Sequence, residues 1–277
     1  MVLGVEEPPA EADIDRWADA AVTTFLPPTA PDSGEPAGTR RVDGGWAWQG
    51  RGVDNVRRRR LVTEALDGYA AGPDATVAAT ADALDRAASA RAVVLVEGIS
   101  DQMALEELAR CQGRDLGAER LVVVPIGGAQ AFARELRRFG PGGAGVIVAG
   151  LYDAGEEEVV RRAIATAGLG APVTRHELEE LGFFVCVKDL EDELIRAAGA
   201  ATIEELLASQ GDLGSFRTLQ KQQVWRGRPF DEQFHRWLRA GARRNLRYAR
   251  LLVRSLPPDR VPRPLTATLG AIPNHPG

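Results

Sequence analysis

Four short, almost uniformly apolar segments alternate with helical patterns in the middle of the chain, and this alternation constrains the fold most. The segments are Ala92–Val96, Leu121–Val124, Gly145–Ala149 and Phe183–Val187. Strands that are apolar at nearly every position are typical of a parallel sheet covered on both faces. Because right-handed crossovers join such strands, we predict an α/β fold whose centre is a doubly wound parallel sheet of about four strands.

Helical patterns fill the connections and both ends of this region. We expect helices near 58–70, 75–89, 101–111, 129–139, 156–167 and 192–198. Farther along, Thr202 and Glu205 have the spacing of a capping box, and Gly211 is placed to follow the end of that helix. One long helix is predicted from about Asp231 to Leu256, before two prolines.

Composition divides the chain into four predicted regions. Residues 1–55 are rich in proline and glycine and are expected to be partly disordered, and residues 56–90 form a helical lead-in. Residues 91–200 contain the α/β pattern, and residues 201–272 form a helical region with a basic face. The fold is therefore an α/β domain with helical N- and C-terminal additions.

Bulk features favour a cytoplasmic protein without a membrane partner. No apolar run approaches the roughly 20 residues that a membrane helix needs, and the first residues lack the pattern of a signal peptide. The sequence has no G-x-x-x-x-G-K-[ST] motif, so we do not expect ATP hydrolysis by that route. The oligomeric state cannot be read from these features.

The net charge of −5 conceals a basic region near the C-terminus. Residues 221–263 contain twelve lysines and arginines against three acidic residues. Six of the arginines recur at spacings of three and four, which places them on one face of the long predicted helix. They are Arg236, Arg239, Arg243, Arg247, Arg250 and Arg254. We predict that this face binds nucleic-acid phosphates; the alternative is a solvated helix surface.

Acidic residues follow three of the four predicted strands. Ligands of open α/β sheets bind beyond the carboxyl ends of the strands, so these residues are candidates for a site. They are Glu97, Asp101, Asp153, Asp189 and Glu191. Carboxylates that converge repel one another unless a cation neutralises them. Because oxygen-only ligands select hard ions, we predict a site for Mg²⁺ or Mn²⁺.

Other interpretations of the same residues remain open. Asp153 and Glu156 also have the spacing of a capping box, whereas Ser100 is the expected cap of the helix after Glu97. The pair Gly127-Gly128 follows the second strand and favours a close backbone approach to a ligand. A small phosphorylated metabolite there is a rival hypothesis, which the missing G-x-G-x-x-G motif disfavours.

The strand-end residues resemble a known family. Val96-Glu97-Gly98-Ile99-Ser100-Asp101 is similar to the first Toprim motif, and Leu151-Tyr152-Asp153 resembles the start of its Asp-x-Asp motif. Among Toprim proteins, the resemblance is to nucleases of the overcoming-lysogenization-defect (OLD) type. Asp189-Leu190-Glu191 resembles their later acidic motif, and Lys221 resembles their lysine. The similarity extends over about residues 91–255, and only its first motif is specific.

This resemblance implies metal-assisted hydrolysis of nucleic-acid phosphodiesters, with DNA as the expected substrate. It places Glu97 and Asp101 on one side of the site, and Asp153, Asp189 and Glu191 on the other. Lys221 would balance charge on the phosphate. The residues that the resemblance makes catalytic are therefore Glu97, Asp101, Asp153 and Lys221.

The sequence departs from the family pattern in two ways. Gly155 stands where many Toprim proteins have the second aspartate, so Glu156 or Glu157 is the expected replacement. OLD-type nucleases also have an ATPase half, which this sequence lacks; we expect action alone or with a separate ATPase subunit. The alternative to a nuclease is a catalytically impaired Toprim-like module that binds nucleic acid or a partner ATPase.

Overall fold

The computed structural model describes residues 75–274 together with Arg60. The proline- and glycine-rich segment predicted at 1–55 and the helix predicted near 58–70 lie outside the described residues. The predicted lead-in at 56–90 is described from Ala75 onward. Its helix, α1 (Ala75–Ala87), agrees with the helical pattern at 75–89.

A four-stranded parallel sheet forms the centre of the described residues. Its strands are β1 (Ala92–Val96), β2 (Leu121–Pro125), β3 (Ile147–Asp153) and β4 (Phe183–Cys186), in the order β2-β1-β3-β4. Ala92 of β1 lies opposite Leu121 of β2 on one side and opposite Ile147 of β3 on the other. The predicted α/β class and doubly wound parallel sheet are confirmed.

Helices connect the strands and extend beyond the sheet. After α1 they are α2 (Ile99–Cys111), α3 (Phe132–Phe139), α4 (Glu157–Thr166), α5 (Arg175–Glu180), α6 (Leu190–Ser209), α7 (Leu213–Lys221), α8 (Phe230–Arg239), α9 (Ala242–Ser255) and α10 (Arg263–Gly270). Short 3₁₀ turns occupy Ala129–Ala131, Ala154–Glu156 and Pro258–Arg260. None of these helices combines the length and the apolar character that crossing a membrane requires.

The two faces of the sheet bury separate apolar cores. Alternate residues of β1 point to opposite faces, so Val94 joins the core beneath α2, α6, α8 and α9, while Leu95 joins the core beneath α1, α3 and α4. Both side chains are fully buried. Since each such side chain contributes about 1.5–3 kcal/mol on burial, continuous apolar strands stabilise a sheet that is covered on both faces.

β3 begins and ends later than the predicted segment Gly145–Ala149. Gly145 has a φ of 65° and belongs to the preceding turn. At the other end, β3 continues to Asp153 because its last residues pair with β4, beginning with Gly150 opposite Phe183. A Cβ at position 150 would lie 2.7 Å from a ring carbon of Phe183, so glycine allows this packing. Asp153 is therefore the last residue of a strand.

The single helix predicted from Asp231 to Leu256 is wrong. It is two helices, α8 and α9, separated at Gly241, whose backbone is extended with φ −164° and ψ 116°. Glycine costs about 1 kcal/mol in a helix interior, which favours a break there. Likewise α6 is interrupted at Gly199, with φ 73°, rather than at the predicted cap Thr202. Gly211, with φ 70°, follows the end of α6 as predicted.

Candidate functional site

A cleft of about 530 Å³ lies at the carboxyl end of the sheet. It is lined by Glu97, Gly98, Ser100, Asp101, Gly128, Asp153, Lys188, Asp189, Leu190, Glu191, Arg239 and Asn245. All five strand-end acids that the sequence suggested as metal ligands therefore meet in one place, whereas Glu156, a suggested replacement ligand, does not line the cleft. They come from the β1–α2 connection, the end of β3 and the start of α6, as expected where parallel strands end at a common edge.

Glu97 joins the ends of two neighbouring strands. Its Oε1 accepts a hydrogen bond from the backbone N–H of Asp153 at 3.1 Å. Burial raises the pKa of Glu97 above its ordinary value, the bond from Asp153 opposes this rise, and repulsion from Glu156 adds to it. Glu97 is thus a carboxyl group whose charge the protein stabilises only in part.

Asp101 lies in the first turn of α2, where its Oδ2 accepts the backbone N–H of Gly98 at 2.8 Å. Gly98 is the residue that precedes the helix, so the prediction that Ser100 caps it is wrong. Burial raises the pKa of Asp101 well above its usual value, and repulsion from Glu191 raises it further, although the bond from Gly98 lowers it. The backbone N–H of Gly98 at the start of α2 therefore holds the carboxylate of Asp101 but does not remove its repulsion from Glu191.

Asp153 is the carboxylate with least support from the protein. Its side chain accepts no capping hydrogen bond from the 3₁₀ turn that follows, so the capping-box interpretation with Glu156 is not supported. Burial raises the pKa of Asp153 to about 7, with further contributions from Glu97, Asp189 and Glu191. This repulsion indicates that the negative charges in the cleft exceed the positive charges of the protein groups that line it.

Asp189 and Glu191 differ from the other acids because protein donors hold them. Asp189 caps α6 by accepting the N–H of Asp192 at 2.8 Å, and its Oδ2 lies 2.6 Å from Nε2 of His235. Although burial opposes the change, these bonds lower the pKa of Asp189. Glu191 accepts a bond from Nδ2 of Asn245 at 2.7 Å. The capping interpretation therefore applies to Asp189 rather than to Asp153.

The chemistry of the cleft suits a hard divalent cation. Its acidic donors are all carboxylate oxygens, which Mg²⁺ and Mn²⁺ prefer. Between residues 75 and 274, no three Asp, Glu, His or Cys side chains are close enough to enclose an ion as they stand. Even so, the raised pKa values of Glu97, Asp101 and Asp153 favour a positive charge among them. These residues fit a metal that draws the carboxylates together.

Comparison with protein-family models gives a match in the region that contains the Val96–Asp101 motif. Residues 90–148 match the family described as "Overcoming lysogenization defect protein-like, TOPRIM domain". The match extends from before β1 into β3 and includes Glu97 and Asp101. This part of the chain is therefore similar to an OLD-like Toprim domain. The resemblance inferred from Val96–Asp101 is thereby confirmed.

Solved structures show the same fold. The C-terminal region of the Xanthomonas campestris pv. campestris OLD protein, phased with mercury, superposes with a TM-score of 0.50 at 22% identity, covering 66% of this chain and 94% of that one. The C-terminal region of the Burkholderia pseudomallei OLD protein has a TM-score of 0.48 at 19% identity, covering 66% and 96%. No curated protein matches the chain. At 22% identity the likeness to the Xanthomonas campestris structure concerns the fold alone.

Gly155 and its neighbours are the residues at which the site departs from the Asp-x-Asp pattern of Toprim proteins. Gly155 is exposed, and a Cβ there would meet no atom within 4 Å. Glu156 lies close enough to raise the pKa of Glu97 and of Asp153 by repulsion. Glu157 instead binds Arg161 at 2.6 Å and Arg175 at 2.5 Å. Of the two proposed replacements, Glu156 is therefore the one whose charge acts on the carboxylates of the cleft.

Lys221 does not line the cleft. It is exposed at the last position of α7. The cations that do line the cleft are Lys188 and Arg239. The sequence did not lead us to predict Lys188 as a site residue. It directly follows the fourth apolar segment, and a position after a strand is the same signal that identified the acidic site residues. His235 was also missed, since nothing in its helical pattern indicates that it reaches Asp189.

The six arginines do not form one face. Arg247 is buried and bonds Asp212, while Arg254 and Arg250 pair with Glu107 of α2 at 2.8 and 3.4 Å. These three hold α9 on the core. The break at Gly241 separates Arg236 and Arg239 on α8 from the other four arginines on α9, because a helical spacing does not continue through an extended residue. The remaining arginines of the prediction, Arg236, Arg239 and Arg243, make no ion pair within residues 75–274.

The turn Gly127-Gly128 after β2 has a structural role. Both residues have positive φ, 77° and 107°, which glycine adopts without strain. Their N–H groups donate to the backbone carbonyl of Glu97 at 3.0 and 3.1 Å. Because these donors are already engaged, they are not free to hold a phosphate. The rival hypothesis of a small phosphorylated metabolite at this turn loses its basis.

Proposed function

We propose that this Toprim domain is a Mg²⁺-dependent nuclease of the cytoplasm that hydrolyses nucleic-acid phosphodiesters, with DNA as its substrate. The observation that carries the proposal is Asp153, a strand-terminal carboxylate without a capping bond whose pKa is raised to about 7. An unsatisfied charge at a half-buried position costs stability, and strongly shifted pKa values of this kind cluster at functional sites. Its position beside Glu97 and Asp101 supports a function in metal binding.

In this proposal the carboxylates hold the ion and the basic residues hold the substrate. Glu97, Asp101 and Asp153 supply oxygen ligands, and Glu156 takes the place of the missing second aspartate. When bound, the metal polarises the phosphate and activates water. Lys188 and Arg239, on the wall of the cleft, orient the phosphate and balance its charge. They take the place that the resemblance gave to Lys221.

Asp189 and Glu191 serve mainly as supports in this arrangement. Asp189 already accepts bonds from the N–H of Asp192 and from His235, and Glu191 accepts one from Asn245. Donors of this kind orient carboxylates beside a metal, and they leave each oxygen a second lone pair. We therefore assign these two acids weaker or water-mediated contact with the ion.

A second candidate function is a catalytically impaired module that binds nucleic acid or a partner ATPase. Gly155 favours it, because one carboxylate of the Asp-x-Asp pattern is missing. The solved structures that share the fold are C-terminal regions of OLD proteins, and a partner ATPase is the protein that this second candidate would bind. In this case metal binding would be weak and nucleic-acid binding would persist.

Incubation of the protein with supercoiled plasmid, in magnesium, in manganese and in chelator, tests the proposal. We expect nicking only with metal, and loss of nicking in Asp153→Asn, which keeps the shape of the side chain but removes its charge. Glu205→Gln is the matched control, since Glu205 is exposed on α6 and does not line the cleft. Binding without metal-dependent nicking would identify the impaired module instead.

A further inference from the structure

A second groove adjoins the carboxylate cleft. Its volume is about 480 Å³, and it is lined by Lys188, Trp225, Glu232, His235, Arg236 and Arg239. Lys188 and Arg239 line both spaces. His235 connects them as well, because its Nε2 lies 2.6 Å from Oδ2 of Asp189. The groove and the cleft therefore share a wall.

The charge of the groove is positive. Glu232 is its acidic residue, and Glu232 already pairs with Arg228 at 3.3 Å. Lys188 has a carboxylate partner only at a distance of 3.8 Å, in Asp192, which itself binds Arg196 at 2.8 Å. Arg236 and Arg239 have no ion-pair partner between residues 75 and 274. The groove thus suits an anion that extends from the cleft.

Trp225 is set apart from the other aromatic residues of the helical region. Five of those pack ring against ring in one cluster: Phe216, Phe230, Phe234, Trp237 and Tyr248. Trp225 is half-buried and has no ring partner of this kind among the described residues. The guanidinium of Arg228 lies 5.4 Å from the centre of its ring. A large aromatic side chain is thus presented beside cations rather than buried.

The turn that carries Trp225 is held in place. Its carbonyl accepts bonds from Nε2 of Gln233 at 2.8 Å and from the N–H of Arg228 at 3.2 Å. Gln233 is buried, and its Oε1 accepts a bond from Gln220 at 2.7 Å. These bonds tie the turn between α7 and α8 to both helices. A ring on an anchored turn loses little entropy when a ligand stacks on it.

We propose that this groove binds an unpaired segment of the nucleic-acid substrate, with one base stacked on Trp225 and adjacent phosphates on Lys188, Arg236 and Arg239. An aromatic ring with flanking cations is the arrangement that recognises single strands, because every base has a face that can stack. In a duplex the bases stack on one another and cannot reach the ring. This inference rests on the proposed function, and it narrows the substrate to one with a single-stranded end or gap beside the cleaved bond.

Binding measured in chelator tests the groove without requiring cleavage. The probes are a fluorescent oligothymidine single strand and a blunt duplex of the same length, titrated with the full chain. Trp225→Ala should weaken single-strand binding about tenfold, within the range for one stacked base, and leave duplex binding nearly unchanged. Trp225→Phe, which keeps an aromatic ring, should retain most of the parent's affinity for the single strand. Val224→Ala is the matched control, because Val224 is an exposed neighbour that does not line the groove.

An equal loss on both probes, or no loss on either, would overturn the inference. If Trp225→Ala does not fold, Trp225→Leu keeps an apolar side chain without an aromatic face and should show the same selective loss. Cleavage of a gapped duplex, in magnesium and in chelator, separates this result from the proposed function. Selective loss without metal-dependent cleavage would keep the groove and refute the nuclease, whereas cleavage with unchanged single-strand binding would refute the groove alone.

Discussion

The Oε1 atom of Glu97 lies 3.1 Å from the backbone nitrogen of Asp153, so a residue that follows β1 binds the last residue of β3. This hydrogen bond holds two acids at one edge of the sheet while giving Asp153 no donor for its own carboxylate. The pKa of Glu97 and that of Asp153 are both raised. Burying these charges beside one another therefore lowers the stability of the metal-free protein.

Asp153→Asn should consequently stabilise the metal-free protein. The raised pKa, about 7, means that ionised Asp153 is unfavourable in the folded state at pH 8. After allowance for solvent at this half-buried position, we expect a gain of about 1 kcal/mol, or roughly 3 °C in Tm. In saturating magnesium the order should reverse, because the parent gains more from the ion. Melting curves in chelator and in magnesium measure both effects.

The pH dependence provides an internal check on this prediction. In the folded state Asp153 binds its proton more tightly than an unfolded aspartate, so its cost is present above pH 7. In chelator the stability of the parent should therefore rise as pH falls through 7 towards 4, and that of Asp153→Asn should rise less. Identical slopes for parent and variant, with Glu205→Gln as the surface control, would contradict the assignment.

The centre of the fold follows from the sequence, but the partners of its charged residues do not. Apolar segments such as Ala92–Val96 identify strands because burial on both faces requires them. The acids at the strand ends then meet for a topological reason, since parallel strands end at one edge. The domain limits suggested by composition remain predictions.

The arginines show where sequence reasoning is insufficient. A helical spacing places Arg243, Arg247 and Arg254 near one another, but it does not reveal that Asp212 and Glu107 lie opposite them on other elements. Those partners are separated from the arginines by 35 and 147 residues. Ion pairs at such separations depend on tertiary packing, as does the hydrogen bond between His235 and Asp189. For this reason the helical spacing alone wrongly placed Arg247 and Arg254, which support the core, on a nucleic-acid-binding surface.

Glu107→Gln should expose this structural role. Burial opposes ionisation of Glu107, but hydrogen bonds from Arg254 and Arg110 lower its pKa to about 2. The variant should lose about 2 kcal/mol of stability at pH 7, because the ion pairs that Glu107 makes with arginines of α2 and α9 are lost. For the parent, this contribution is present above pH 4.5 and disappears as pH falls towards 2. Urea unfolding from pH 7 to pH 2.5 should show the difference shrinking.

The control for Glu107 is Asp82→Asn, which removes an exposed carboxylate paired with Arg86 at 3.0 Å. Exposed pairs contribute little, so this variant should unfold close to the parent. Comparable losses of stability in Glu107→Gln and Asp82→Asn would mean that the packing of α9 on α2 gains nothing from its buried acid.

Gly155→Asp tests whether the missing carboxylate limits metal binding. The position is exposed and a Cβ would meet nothing within 4 Å, so the fold should accept the change. We expect magnesium affinity to increase about tenfold, equivalent to roughly 1.4 kcal/mol, and the metal-free protein to melt slightly lower because of added repulsion. Calorimetric titration measures the affinity. Gly155→Asn, which has the same shape without the charge, should bind as the parent does; equal gains in both variants would exclude a charge effect.

The last prediction concerns the arginines that remain at the surface. Arg239 and Arg243 are exposed and have no ion-pair partner within residues 75–274, whereas Arg247 is buried against Asp212. Neutralising both as Arg239→Gln with Arg243→Gln should weaken duplex binding and reduce the slope of log K against log salt by roughly 2, about one unit for each phosphate that is no longer neutralised. Thermal stability should change little, because neither side chain supports the core.

Two further variants make this prediction specific. Arg247→Gln should lower Tm, since it removes the buried ion pair with Asp212, yet should keep the salt slope of the fraction that remains folded. Arg162→Gln removes an exposed arginine from α4, on another helix, and should change neither quantity appreciably. Binding titrations at several salt concentrations, alongside melting curves, separate the two kinds of arginine. A slope that falls with Arg247→Gln but not with the Arg239–Arg243 pair would place the nucleic-acid surface elsewhere on the protein.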